Sequence, residues 1–179
     1  MSADLDPYIA LLRALHRRGV RYATIGVWGA NYYAQAGGVV FTTKDRDFFL
    51  PPDSENLMRA WEACDEAGLE LWSGREPLDQ PRDLWLAERM VANRALTTAL
   101  GPDSLQIDLT LVMAAHEFEH VWQERRTFRD GGADVHVARL RHIVESKSAA
   151  DRPKDRLFLL THMENLSQLM RGDDPSERD

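Results

Sequence analysis

Cysteine is nearly missing from this chain. Cys64 stands alone among 179 residues, so no intramolecular disulfide can form and no Cys-rich metal ribbon can be built. A single thiol fits a reducing compartment, and a cytoplasmic location is the expectation. No apolar run approaches the roughly 18 residues that a membrane helix needs, and no membrane partner is expected. The first residues, Met1-Ser2-Ala3-Asp4-Leu5-Asp6, are acidic and lack the apolar core of a secretory signal. Positive charge is also short: 22 Lys and Arg face 29 Asp and Glu, for a net charge of −7. That balance argues against a broad basic surface wrapped by long nucleic acid, while leaving room for a small basic pocket. Internal repeats and low-complexity segments are absent. So are the Walker A, G-x-G-x-x-G and G-x-S-x-G patterns.

What is present is an ordinary globular composition, 44% hydrophobic and 28% charged. A chain of this size buries roughly 70% of its unfolded surface and needs no staples. One domain over residues 1–170 is expected, its helices at about 139–170 forming an extension, with a flexible polar tail at 171–179. Periodicity predicts helices at 5–18, 28–35, 53–67, 82–93, 115–126, 139–149 and 153–170. It predicts strands at 20–26, 43–50, 69–72, 105–112 and 134–138, with a loop at 73–81. This mixed order favours an α/β (α+β) fold, a mixed sheet with flanking helices and a C-terminal helical pair.

Two aspartates stand out. Asp45 and Asp47 sit two apart on the predicted 43–50 strand, so both carboxylates leave one face, about 6.6 Å apart along the chain. Like charges at that spacing cost stability unless a cation sits between them, and hard divalent cations take oxygen ligands. Asp108 interrupts the alternating run Leu105–Leu111 on its polar face, beside Gln106 and Thr110. If the two strands are neighbours, the three carboxylates converge, and such a trio can hold metals for phosphoryl or nucleotidyl transfer.

Gly26 closing a strand before a helix, followed by Thr43-x-Asp45-x-Asp47, resembles the nucleotidyltransferase superfamily of the DNA polymerase β type. The resemblance is strongest to AbiEii-like toxins and to small antibiotic-modifying or minimal members. It covers roughly residues 8–165. It implies that the turn at Gly26 and Val27, with Thr43, holds a nucleoside triphosphate such as ATP. Asp45 and Asp47 would bind Mg²⁺, and Asp108 would be the third metal ligand or general base. The segment Glu145–Asp155 resembles the lysine-bearing helix pair of AbiEii-like chains, in which Lys147 would contact phosphates and Asp155 would lie on the next helix. The implied reaction moves a nucleotidyl group from an NTP to an acceptor hydroxyl on a small molecule, an RNA or a protein. A toxin–antitoxin setting would add a cognate antitoxin. The chain departs from the pattern twice. Val27 stands where Gly or Ser follows the first glycine, and Val39-Val40-Phe41 stands where an arginine often precedes the aspartates. These departures carry the alternative of a non-catalytic binding protein with this fold.

His116-Glu117-Phe118-Glu119-His120 is a literal H-E-x-x-H on the predicted 115–126 helix. Its histidines one turn apart could face one zinc, with Glu117 as base, which gives a subordinate metalloprotease reading. Glu145, His136 and His142 are the candidates for a third ligand. Trp28, Trp61, Trp72, Trp85 and Trp122 read as packing residues, with Trp28, Tyr32 and Tyr33 near the glycine turn as the candidates for base stacking. Cys64 falls on an inward helix stripe.

Overall fold

Asp6 accepts a hydrogen bond from the Tyr8 amide at 2.8 Å, and Pro7 supplies a first-turn residue that needs no donor. Helix α1 (Pro7–Arg17) starts there and buries Leu11, Leu12 and Leu15. The same device recurs at α3 (Ser54–Glu66), where Asp53 caps the Asn56 amide, and at α4 (Leu84–Ala92), where Asp83 caps that of Leu86. The remaining helices are α2 (Gly26–Ala36), α5 (Phe118–Glu124), α6 (Leu140–Ala150) and α7 (Pro153–Asp173). The computed structural model describes residues 5–78 and 80–173.

Eight strands form one mixed sheet: β1 (Ala23–Ile25), β2 (Arg46–Phe49), β3 (Glu70–Ser73), β4 (Glu76–Pro77), β5 (Thr97–Leu100), β6 (Gln106–Thr110), β7 (Arg126–Asp130) and β8 (Ala133–Val137). Their spatial order is β4-β3-β5-β6-β2-β1-β8-β7. The expected α/β class, with a mixed sheet and a C-terminal helical pair, is the architecture observed. At the centre, β2 runs parallel to β6 and antiparallel to β1. Phe48 of β2 lies opposite Leu109 of β6, and both are buried on one face with Ile107. The Tyr22 and Tyr8 rings pack on Phe48 at 4.8 and 6.2 Å, so α1 covers this face. Asp47 and Phe49 leave the opposite face, where Phe118 of α5 meets Phe49 at 5.4 Å.

Several boundaries differ from those expected. β2 starts at Arg46, so Asp45 precedes the strand. β4 occupies the expected 73–81 loop, and β5 and β7 arise where no strand was expected. β5 carries only Thr-Thr-Ala-Leu and has little apolar alternation; pairing with β3 and β6 on its two sides makes it a strand. The charged edge strand β7 turns into β8 through Gly131 and Gly132. Both have positive φ (54° and 78°), as a two-residue hairpin turn of matching twist requires. The expected 115–126 helix is shorter, Phe118–Glu124. Of the tail expected to be flexible, residues 171–173 complete α7. Asp173 is buried there, 2.7 Å from Arg126 and 2.9 Å from Arg139; residues 174–179 lie outside the described residues.

Candidate functional site

The sheet register assembles the carboxylates. Asp47 on β2 lies directly opposite Asp108 on the parallel β6, so both side chains leave the same face. Asp45, one step before the strand, lines the same cavity as Asp47 and Asp108. Asp108 is steered from its other neighbour: Thr98 of β5, its register partner, donates to Oδ1 at 2.9 Å. Thr43 turns the approach to the strand, its hydroxyl accepting from the Asp45 amide at 3.2 Å.

No carboxylate of this trio forms a salt bridge among the described residues. Burial, followed by the neighbouring charges of Asp108 and Asp45, pushes the Asp47 carboxyl up to about 6, against an ordinary 3.8. Three carboxylates without a cationic partner, one of them held up by burial and by its neighbours, are a donor set suited to a hard divalent cation.

The cavity is about 420 Å³, within the range of small-ligand sites. Its second wall is the start of α2. Gly26 has φ +69°, and a Cβ there would come within 3.0 Å of Asp47 Oδ2, so only glycine lets the carboxylate approach this backbone. Val27 lies in the first helical turn with no positive φ. The conformational freedom of a glycine is therefore needed at position 26 and not at 27. Ile25 caps α2 without a side-chain hydrogen bond, which leaves first-turn amides free beside a cavity that Ile25, Gly26 and Val27 line. The segment that replaces the missing arginine has a structural anchor: Asn31 clamps the Phe41 backbone, donating to O at 2.8 Å and accepting from N at 2.6 Å.

The third wall is cationic. Lys147 on α6 and Arg152 before α7 both hold Asp155, which is fully buried, at 3.2 and 2.7 Å. Burial opposes ionisation of Asp155, but hydrogen bonds from Arg152 and Lys147 outweigh it and hold its carboxyl below the usual range. Lys154 joins this wall, and both Lys154 and Lys147 pull on the charge of Asp47. Phe158 supplies an aromatic surface. The eight residues that the nucleotidyltransferase resemblance marks in the sequence (Gly26, Val27, Thr43, Asp45, Asp47, Asp108, Lys147 and Asp155) line this one cavity. Arg152, Lys154 and Phe158 line it as well. The first two fall inside the segment already noted; their signal was two cationic residues five and seven positions after Lys147, across a helix break.

The aromatic candidates lie elsewhere. Tyr32 donates to Asp130 at 2.7 Å and Tyr33 to the Ala138 carbonyl at 2.7 Å, and both are buried. The Trp28 ring is covered by Arg46 at 3.9 Å and lines a neighbouring groove. Cys64 is buried, and burial pushes its thiol up to about 12, so it packs as a small core residue. The H-E-x-x-H residues do not share a helix: α5 begins at Phe118, leaving His116 and Glu117 before it. The geometry of two zinc ligands with a base between them on one helix is therefore not formed. His116 and His120 nevertheless meet, and His142 from α6 joins them. Burial, with His116 beside it, lowers the His142 pKa and keeps that ring neutral.

No protein-family model matches this chain, and no curated protein matches it. Among solved structures it is similar to the antibiotic-resistance factor ANT(2'')-Ia, with 16% identity and a TM-score of 0.49 over 93% of this chain and 88% of that one. No helix among the described residues is long and apolar enough to cross a membrane.

Proposed function

We propose that this protein is a nucleotidyltransferase that uses a divalent metal, Mg²⁺ by the chemistry of its donors. The observation that carries the reading is the convergence of Asp45, Asp47 and Asp108 on a cavity whose other walls are a helix N-terminus and the cations Lys147, Arg152 and Lys154. Acidic and basic ends within one cavity fit a metal-bound triphosphate, whose charge needs both a metal and cations. The resemblance of the Gly26, Thr43-x-Asp45-x-Asp47, Asp108 and Lys147 sequence pattern to the polymerase β type supports the same reading.

In this mechanism the acceptor hydroxyl attacks the α-phosphorus of an NTP. A new P–O bond forms, the bond to the bridging oxygen breaks, and pyrophosphate leaves. When bound, a divalent metal would supply Lewis acidity at the phosphates. Asp45 and Asp47 would hold it, and Asp108, oriented by Thr98, accepts the hydroxyl proton. The α2 amides and Lys147 hold phosphate oxygens, and Asp155 positions Lys147. Catalysis here is mostly placement and electrostatics. The net charge of −7 favours a compact acceptor over long nucleic acid. A small molecule or a protein hydroxyl is the preferred acceptor class. ATP is one candidate donor. A toxin paired with an antitoxin in the cytoplasm is one setting for such an enzyme.

The test is label transfer from each of four α-labelled NTPs, with Mg²⁺, to a panel of small-molecule, RNA and protein acceptors. Asp47→Asn is expected to cut transfer by more than about 100-fold, beyond the usual cost of losing an outer-shell partner. Undiminished turnover in that variant overturns the proposal.

A further inference from the structure

Three imidazoles that the aspartate cavity does not use meet where α5 approaches α6. His116 lies in the turn before α5, His120 on α5 and His142 on α6. One ring nitrogen from each lies within 4.8 Å of the other two. The His142 ring sits 4.6 Å from that of His116 and 4.9 Å from that of His120.

The second observation is an unmet valence. His142 is 1% exposed, yet neither of its ring nitrogens has a hydrogen-bond partner, and Nε2 of His116 has none either. Buried nitrogens without partners are rare in folded proteins, and the place of a metal ion is one standard cause. Carboxylates come close without supplying the bond. Glu124 Oε2 lies 2.9 Å from His142 Nε2, and Glu145 Oε2 lies 3.1 Å from His116 Nε2. Neither approach has hydrogen-bond geometry, since both nitrogens remain unpartnered. Glu124 also stands 3.5 Å from Nε2 of His120, so one carboxylate faces two of the three rings.

We propose that His116, His120 and His142 bind one transition-metal ion of the Zn²⁺ class, with Glu124 as fourth ligand. Three imidazoles and a carboxylate match zinc and exclude Mg²⁺, which prefers oxygen donors and octahedral geometry. Around a tetrahedral Zn²⁺ with bonds of about 2.0–2.1 Å, ligand atoms stand about 3.3–3.4 Å apart. The ligand atoms have to close in by up to about 1.4 Å, and the His120 side chain, 58% exposed, has the freedom to swing. Four protein ligands leave no open position, so the site is structural. Its effect is to fasten α5 and the preceding turn to α6. Because α6 also presents Ile143, Ser146 and Lys147 to the aspartate cavity, the metal would hold one wall of that cavity from behind. The site stands whether or not the cavity transfers nucleotides.

The full chain, purified without chelators, is titrated with Co²⁺, whose tetrahedral nitrogen-ligated form absorbs visible light far more strongly than an octahedral oxygen-ligated one. One strongly absorbing equivalent per chain, displaced by equimolar Zn²⁺, is expected. His120→Ala, at the most exposed ligand, and His142→Ala each weaken binding by more than about 100-fold. A double Asp47→Asn, Asp108→Asn variant keeps the signal. No tetrahedral band, a band that survives His120→Ala, or a band lost in the double aspartate variant overturns the proposal. The first outcome leaves only histidine–carboxylate ion pairs, and the last moves the metal to the aspartates.

Discussion

The aspartate cavity and the histidine cluster solve one problem, the gathering of polar side chains that repel or desolvate each other, in opposite ways. Carboxylates can shed charge only by taking up protons, and Asp47 is pushed up to about 6 beside Asp108 and Asp45. The protein leaves that group in an open cavity and builds a cationic wall across from it. Imidazoles become neutral simply by losing a proton, so His142 is buried to 1% exposure without an ion pair of hydrogen-bond quality. How deeply one member of each cluster can be buried thus follows from which protonation state is uncharged. Donor chemistry sorts the ions: hard oxygen donors in the cavity, nitrogen donors in the histidine cluster.

The largest expected effect tests the cationic wall. Asp155→Ala removes a buried carboxylate that holds Lys147 and Arg152, and urea unfolding is expected to show a loss of about 3–5 kcal/mol. Nucleotide affinity falls with it, while the folded fraction keeps its Co²⁺ band at the histidines. A loss confined to the band would mean that α6 serves the wrong site.

A smaller effect probes the cavity from α2. Gly26→Ala places a side chain at φ +69° and 3.0 Å from Asp47 Oδ2. It is expected to cost about 1–2 kcal/mol in thermal unfolding and to displace Asp47. Divalent-ion affinity in the cavity drops, and the histidine cluster is untouched.

The smallest expected effect is a slope in pH. Mg²⁺ binding, followed by calorimetry, weakens about tenfold per pH unit below about 6, where Asp47 takes up a proton. Stability of the metal-free protein runs the other way. The native carboxyl holds its proton more tightly than the unfolded one, so the contribution of Asp47 to stability is fully present below pH 3.8 and is lost as pH rises through about 6, opposite in sign to that of Asp155. Asp47→Asn should flatten both slopes, and a slope that survives the change belongs to another group.

The two regions also differ in how far the chain advertises them. Asp47 and Asp108 were legible because each breaks an apolar strand pattern on its polar face, and period 2 gives the direction. Their convergence needed β2 and β6 to be neighbours, which no local pattern encodes. Asp45 reaches the cavity from outside the strand that was expected to contain it. β5, which positions Asp108 through Thr98, was not legible, since Thr-Thr-Ala-Leu becomes a strand only between two others. The histidine spacing was visible but pointed to a single helix. A helix that starts at Phe118 and a third ring from α6 depend on long-range packing. His142 stood among three candidates with nothing in the sequence to single it out. Lys147 and Asp155 were marked by family resemblance, whereas Arg152 and Lys154 were visible as charges without assigned partners.

The pairing of Asp47 with Asp108 has a consequence for folding. Strand register is a discrete variable, and a slip of one residue turns every side chain of a strand to the other face. A β2 slipped by one against β6 would set Phe48 opposite Asp108 and leave the cavity with one carboxylate fewer. Only the native alignment then presents the full set of oxygens. An ion that binds that set adds its free energy to one register alone. On the reading proposed here, the cation would proofread the sheet that creates its site, and depleting it during refolding would enrich misaligned chains.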